Sequence, residues 1–209
     1  MLKQITEKIS YVENSVLPLS SDVIIIKGDT ANYVFDVGAN DESFAEIDKL
    51  QNENKPVVVF ISHFHADHMS NLKRIKYDEL YVTKNTSRYC SETNAVVHVI
   101  DEEVEINDGV QIKVMPIPSS HAKGCLCISV DDEYLFVGDA LYPMNKNEQR
   151  LYNVQHLKEQ MDFLAKMNVS KVFLSHDRKA ILDKEIMVAF LNSVYDKREK
   201  NNPYIYQNK

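Results

Sequence analysis

Cysteine is scarce in this 209-residue chain, with three in all: Cys90, Cys125 and Cys127. So sparse and odd a count argues against a disulfide framework and fits a reducing compartment. Cys125 and Cys127 stand two apart in an apolar run. On a strand they share a face and are poorly placed to bond each other. Long hydrophobic runs are missing too. No stretch approaches the ~18 apolar residues needed to span a bilayer, which excludes a membrane-spanning helix. The opening residues Met1 to Lys8 lack the apolar core of a signal peptide. These absences predict a cytoplasmic protein with no membrane partner. Positive charge is in deficit: 24 Lys and Arg stand against 31 Asp and Glu, for a net charge of -7. That balance disfavours nucleic acid as a partner. Low-complexity segments and fixed-period repeats are absent as well, which excludes repeat architectures.

What the chain does contain is ordinary for a globular protein. It is 44% hydrophobic and 26% charged, enough apolar material for a sizeable core. No composition shift marks a linker, and residues 1–209 are expected to form one domain. Short β-rich runs recur. Val23 to Ile26 and Tyr33 to Val37 flank Gly28-Asp29 as a hairpin ending in Gly38. Residues 41–53 carry Phe44, Ile47 and Leu50 at helical spacing. Val57 to Ile61 is a continuous apolar run of the buried-strand type. A short helix is expected near 70–76, with strands near 80–83 and 96–100, and near 110–115 after the Asp108-Gly109 turn. Cys125 to Val130 and Tyr134 to Val137 read as strands. Residues 153–167 and 179–198 read as helices around a short strand at Lys171 to Leu174. The class is mixed α/β.

His63-Phe64-His65-Ala66-Asp67-His68 is the most informative stretch. It gathers three of the chain's seven histidines and an aspartate directly after the apolar strand. A strand end that leads into a loop or helix start can turn all four side chains towards one pocket. Neutral imidazoles with a carboxylate suit Zn²⁺, Fe²⁺ or Mn²⁺. Chance clustering is the competing explanation, and the scarcity of histidine makes it a poor one.

This H-x-H-x-D-H pattern resembles the signature of the metallo-β-lactamase superfamily, and further elements follow in the same order. Phe35-Asp36-Val37-Gly38 is similar to the superfamily's upstream strand and aspartate turn. Ser120-His121-Ala122-Lys123-Gly124, Gly138-Asp139 and Leu174-Ser175-His176 match its later ligand positions. The resemblance implies an αββα sandwich, two packed mixed β-sheets flanked by helices, with the site at one edge. It implies a ligand set like that of glyoxalase II. His63, His65 and His121 would hold one divalent metal ion. Asp67, His68 and His176 would hold a second, and Asp139 would bridge the two. Zinc is the expected metal, with iron and manganese as alternatives. The implied activity is that of a dinuclear hydrolase using a bridging hydroxide, with Asp67 and Asp139 as catalytic candidates. Asp36 is a candidate to accept an N–H from a ligand histidine, or is simply a turn aspartate before Gly38.

Departures from the superfamily pattern narrow the function. The best-known zinc β-lactamases carry a cysteine where Asp139 stands, which argues against antibiotic hydrolysis. Flavin-linked di-iron members carry glutamate where His65 stands. The stretch after His176 is too short for the helical domain of glyoxalase II-like thioesterases, and Asp177 replaces the usual glycine. Tyr142 can donate into the pocket or merely pack. Asp177 and Arg178 can face substrate or solvent. His98 and His156 read as structural, and the cysteines as core. The leading expectation is hydrolysis of a small-molecule ester, thioester or lactone. The alternatives are a phosphodiesterase, including of cyclic nucleotides, a mononuclear iron-dependent dioxygenase, and a non-catalytic metal-binding module. The sequence leaves the oligomeric state open.

Overall fold

The computed structural model describes residues 1–207. In chain order, β1 (Leu2–Gln4), β2 (Ile9–Val12), β3 (Ser15–Val16), β4 (Leu19–Ser20), β5 (Val23–Lys27) and β6 (Asn32–Phe35) precede α1 (Asp41–Leu50). Next come β7 (Val57–Phe60), α2 (Ala66–Met69), β8 (Glu79–Val82), α3 (Lys84–Ser87) and β9 (Val96–Val99). β10 (Val104–Asn107), β11 (Gln111–Ile117), β12 (Cys125–Val130), β13 (Tyr134–Phe136), β14 (Met144–Lys146) and β15 (Gln149–Asn153) lead to α4 (Val154–Lys166). β16 (Lys171–Phe173), β17 (Ile181–Asp183), α5 (Lys184–Tyr195) and β18 (Tyr204–Gln207) follow.

Two large sheets result, in the strand orders β1-β2-β5-β6-β7-β8-β9 and β10-β11-β12-β13-β16-β17. β6 to β9 run parallel, as do β13 and β16. One core lies between the sheets, where Ile24, Ile26, Phe35 and Phe60 meet Ile112, Leu126, Ile128 and Phe136. α1 covers the outer face of the first sheet, burying Ile47 and Leu50 on Val57, Val59 and Ile61. α4 and α5 cover the second sheet, with Leu157, Leu164, Met187 and Leu191 on Cys125, Cys127, Leu135 and Val172. This is the expected αββα sandwich.

The continuous apolar runs are explained by this layering. Side chains alternate across a strand. In β7, Val58 and Phe60 enter the inter-sheet core while Val57 and Val59 meet α1. In β12, Leu126 and Ile128 face inward while Cys125 and Cys127 face the helices. A strand buried on both faces has no polar position to alternate with. Each fully buried apolar side chain of this kind contributes ~1.5–3 kcal/mol. The start of α1 is fixed by Asn40, whose side chain accepts the Ser43 N–H at 2.8 Å, and by Asp41 and Glu42 in its first turn.

Two expectations need correction, and one element carried no expectation. The helix expected over 179–198 is shorter, because Ile181–Asp183 pairs with β16 as β17 and the helix begins at Lys184. The helix expected near 70–76 starts earlier, as α2, and continues as a 3-10 turn over Ser70–Lys73. The hairpin β14–β15, which joins β18 in a three-stranded sheet, had no clear sequence signal. Its turn residues Asn147 and Glu148 both have positive φ. Among the described residues no helix is long and apolar enough to cross a membrane.

Candidate metal centre

Parallel pairing brings the carboxyl ends of β6 and β7 to one edge, and those of β13 and β16 likewise. The residues that follow these strand ends meet there. Val37 takes its place through an N–H donated to the His68 carbonyl at 2.9 Å. Leu126 N–H donates to the Ser62 carbonyl at 2.8 Å, and Ser175 N–H to the Gly138 carbonyl at 3.1 Å. Gly138 has a φ of 55°, and a Cβ there would lie 2.6 Å from Ser62 Oγ. Only glycine lets the two sheets approach so closely at this point.

The seven ligand candidates form two groups, and within each group the donor atoms all lie within 4.8 Å of one another. His63, His65 and His121 form the first. His65 Nδ1 stands 2.9 Å from His63 Nε2 and 3.1 Å from His121 Nε2. Burial, then the charge of neighbouring histidines, lowers the pKa of His63 and His65. Burial lowers His121 too, against the pull of Asp139. All three are therefore held neutral, the form that donates a lone pair.

Asp67, His68, Asp139 and His176 form the second group. Asp67 Oδ2 lies 3.0 Å from His176 Nε2 and 3.5 Å from His68 Nε2. Asp139 reaches both groups, with Oδ2 3.4 Å from His121 Nε2 and 3.5 Å from His68 Nε2. Its Oδ1 is 3.9 Å from His176 Nε2. Burial alone would raise Asp67, but the hydrogen bond from His176 and the charge of His68 hold it down to about 2. For His68 burial is outweighed by Asp36 and Asp139, so its pKa is raised well above the usual value.

Asp36 anchors both groups from behind. Its Oδ1 accepts the Ser62 N–H at 2.8 Å, and its Oδ2 accepts the Ser62 hydroxyl at 2.8 Å and His68 Nδ1 at 2.7 Å. With its own proton committed to Asp36, Ser62 Oγ is left to accept from His63 Nδ1 at 2.9 Å. This network places a proton on Nδ1 of both His63 and His68 and turns both Nε2 atoms into the centre, where His63 Nε2 offers a lone pair and His68 Nε2 would do so once a cation displaces its second proton. Asp36 and His176 both adopt left-handed backbone, with φ of 57° and 63°. Strained backbone of this sort persists where the surroundings hold it, and it concentrates at functional sites. His176 is held by Asp22, a buried residue whose Oδ2 accepts the His176 N–H at 2.9 Å and the Ser175 hydroxyl at 3.3 Å.

The donor atoms fit divalent cations. His68 Nε2 and Asp139 Oδ1 are buried with no hydrogen-bond partner among the described residues. Unpaired buried polar atoms are costly, and these two point into a cluster of imidazole and carboxylate donors suited to such ions.

The other residues singled out from sequence take simpler places. Tyr142 donates its hydroxyl to the Ser175 carbonyl at 2.8 Å, leaving its ring beside the centre. Asp177 Oδ1 accepts the Lys179 N–H at 2.8 Å. His98 stacks on Tyr81, and His156 lies exposed on α4 beside Glu159. Cys125 and Cys127 are buried in the helix-facing core. Ser62 and Asp22 were not legible. Ser62 is only a lone serine before the first histidine, and Asp22 contacts residues more than 150 positions away.

Comparison with known proteins agrees with this fold. Residues 16–79, which include the His63–His68 run, match the model of the metallo-beta-lactamase superfamily. The DIM-1 metallo-beta-lactamase superposes with a TM-score of 0.72, covering 94% of this chain and 96% of that one at 14% identity. The chain has the metallo-β-lactamase fold. Other structures with this fold are the chemotaxis sensor ODP, solved as a peroxy diiron species, and a metallo-beta-lactamase from Pontibacter korlensis. The first gives a TM-score of 0.71 over 93% of this chain and 94% of that one at 15% identity. The second gives 0.67 over 95% and 99% at 15% identity. No curated protein matches the chain.

Proposed function

We propose that this metallo-β-lactamase-fold protein is a cytoplasmic metal-dependent hydrolase that cleaves an ester, thioester or lactone of small size. The observation that carries the reading is Asp139, whose two oxygens reach toward both donor groups while one of them lacks a hydrogen-bond partner among the described residues. His63, His65 and His121 would hold one cation, and Asp67, His68 and His176 the other, with Asp139 between them. Imidazole and carboxylate donors favour zinc. When bound, such a pair lowers the pKa of a shared water and polarises a carbonyl oxygen.

The chain's own groups supply the rest. Asp67 is ionised and lines the pocket with Leu19 and Asn145, where its carboxylate can orient a water by accepting a hydrogen bond from it. Asp36 and Ser62 fix the orientation of two imidazoles, so the donors need no rearrangement. Burial pushes the Cys125 thiol up to about 12 and the Cys127 thiol upward as well, which removes them as nucleophiles. Ser62 is fully buried and committed to Asp36. Hydrolysis through activated water, with no covalent enzyme intermediate, is the chemistry these groups support.

The test is elemental analysis of protein purified without chelator, joined to turnover of ester, thioester, lactone and phosphodiester substrates. About two metal ions per chain and hydrolysis of one of the first three classes are expected. Turnover of phosphodiesters alone would overturn the substrate assignment. The likeness to the diiron protein favours one second reading, iron-dependent oxygen chemistry on the same residues. Oxygen consumption by iron-loaded protein would reveal it.

A further inference from the structure

Behind Tyr142 lies a second cavity of about 320 Å³, near the lower end of the ~300–1,000 Å³ typical of small-molecule pockets. Leu141, Tyr142, Tyr152, Leu182, Met187 and Phe190 form half of its wall. They come from the loop after Asp139, from β15 and β17, and from α5. Tyr142, Pro143 and Arg150 line both this cavity and the mouth of the donor cluster, where His121, Asp139 and His176 stand. The two compartments therefore share one wall.

The cavity is apolar and open at α5. Ile186 and Phe190 also line it, one turn apart on the same helix face, and they are 55% and 47% exposed. Met187, Leu191 and Val194, on the adjoining face of that helix, are buried. Exposed apolar groups gathered at the mouth of an apolar cavity mark a binding surface. Arg150 stands where the cavity meets the cluster. Arg74 and Arg198 have carboxylate partners, whereas the guanidinium groups of Arg88, Arg150 and Arg178 have none among the described residues, and of these three Arg150 lines the cavity. Asp177, the one carboxylate in the cavity wall, has an oxygen engaged by Lys179 N–H.

We infer that this cavity takes the apolar chain of an acyl substrate, and that Arg150 receives the carboxylate left by hydrolysis. The position of the acyl carbon rests on the hydrolase reading above, while the chain subsite does not. In the reaction water adds across the acyl bond. A C–O bond forms at the acyl carbon, and the C–O or C–S bond to the leaving group breaks. One water proton ends on the leaving group, and the other is released to solvent from the new acid. The product is a carboxylate on an apolar chain, which matches a guanidinium at the mouth of an apolar cavity.

Isothermal titration of the metal-loaded protein with sodium butyrate, sodium octanoate and 1-octanol tests this. Octanoate should bind at least about tenfold more tightly than butyrate, since each buried methylene adds affinity. Arg150→Gln should weaken octanoate about tenfold and leave octanol unchanged. Ile186→Glu alters an exposed position and so leaves the fold intact. It should weaken octanoate and octanol alike by about tenfold. Equal binding of butyrate and octanoate, or octanoate binding indifferent to both substitutions, would overturn the proposal. Octanoate binding without turnover of any ester, thioester or lactone sinks the hydrolase reading and leaves the subsite standing. Turnover without octanoate binding does the reverse.

Discussion

Asp108 and Asp139 stand at opposite ends of one sandwich, both nearly closed off from water. β6 begins beside the partners of Asp108 and ends at Phe35, one residue before the anchor Asp36. Asp108 is saturated with donors. It accepts Thr30 N–H at 2.9 Å, the Thr30 hydroxyl at 2.8 Å, Ala31 N–H at 3.0 Å and the Tyr33 hydroxyl at 3.1 Å. Burial would raise its pKa, but these hydrogen bonds outweigh burial and lower it. Asp139 has a buried oxygen with no hydrogen-bond partner among the described residues. The first arrangement ties two turns together and stabilises the fold. The second leaves donor atoms facing one another, an arrangement that a cation placed between them would stabilise further. One end of the sandwich serves stability, and the other, in the function proposed above, would serve binding.

Asp139→Ala gives the largest expected effect on function. Turnover should fall by about 100-fold or more, because the shared ligand of both groups is gone. Without metal the variant should be as stable as the parent, measured by chemical denaturation after chelation. A metal-free variant markedly less stable than the parent would break the comparison, since it would make Asp139 a structural residue like Asp108.

Asp36→Asn comes next. It keeps the shape but disturbs the acceptor that sets the His63 and His68 tautomers, so metal affinity should drop ~10–100-fold. Competition with a chromogenic chelator measures this, and unchanged affinity would show that Asp36 is only a turn residue.

Asp108→Ala should do the opposite of Asp139→Ala. Stranding the donors of Thr30, Ala31 and Tyr33 should cost about 2 kcal/mol, or lower Tm by about 4–8 °C, while kcat at ambient temperature stays unchanged. A loss of kcat in fully folded protein would contradict the division between the two ends.

The pH dependence of stability should sharpen this further. The folded pKa of Asp108 is lowered, so its contribution is complete above the unfolded carboxylate value, near pH 4, and is lost as pH falls through the lower folded value. Metal-free wild type should therefore lose stability below about pH 4 more steeply than Asp108→Ala. Parallel acid limbs in the two proteins would refute that assignment. The smallest effect is expected from Cys90→Ala, which should leave turnover within about twofold, because the half-buried thiol is in neither donor group.

The sequence by itself determined the donors and the layers. Val57 to Ile61 is apolar at every position because both of its faces are covered, and the His63–His68 run follows its end within three residues. Donors this close in sequence are legible because a single strand end must carry them to one place. The order of His121, Asp139 and His176 was readable only through the family resemblance, since each closes a different strand. What the tertiary structure alone decided is the set of long-range supports. Asp22 grips the backbone of His176 from the other half of the chain, and Ser62 passes the Asp36 charge to His63. β18 returns to complete the β14–β15 hairpin, and Arg150 takes its place between an apolar cavity and the donor cluster. None of these residues has a local pattern that marks it, because each acts through a partner that only the folding of the two sheets against each other brings within hydrogen-bonding or packing distance.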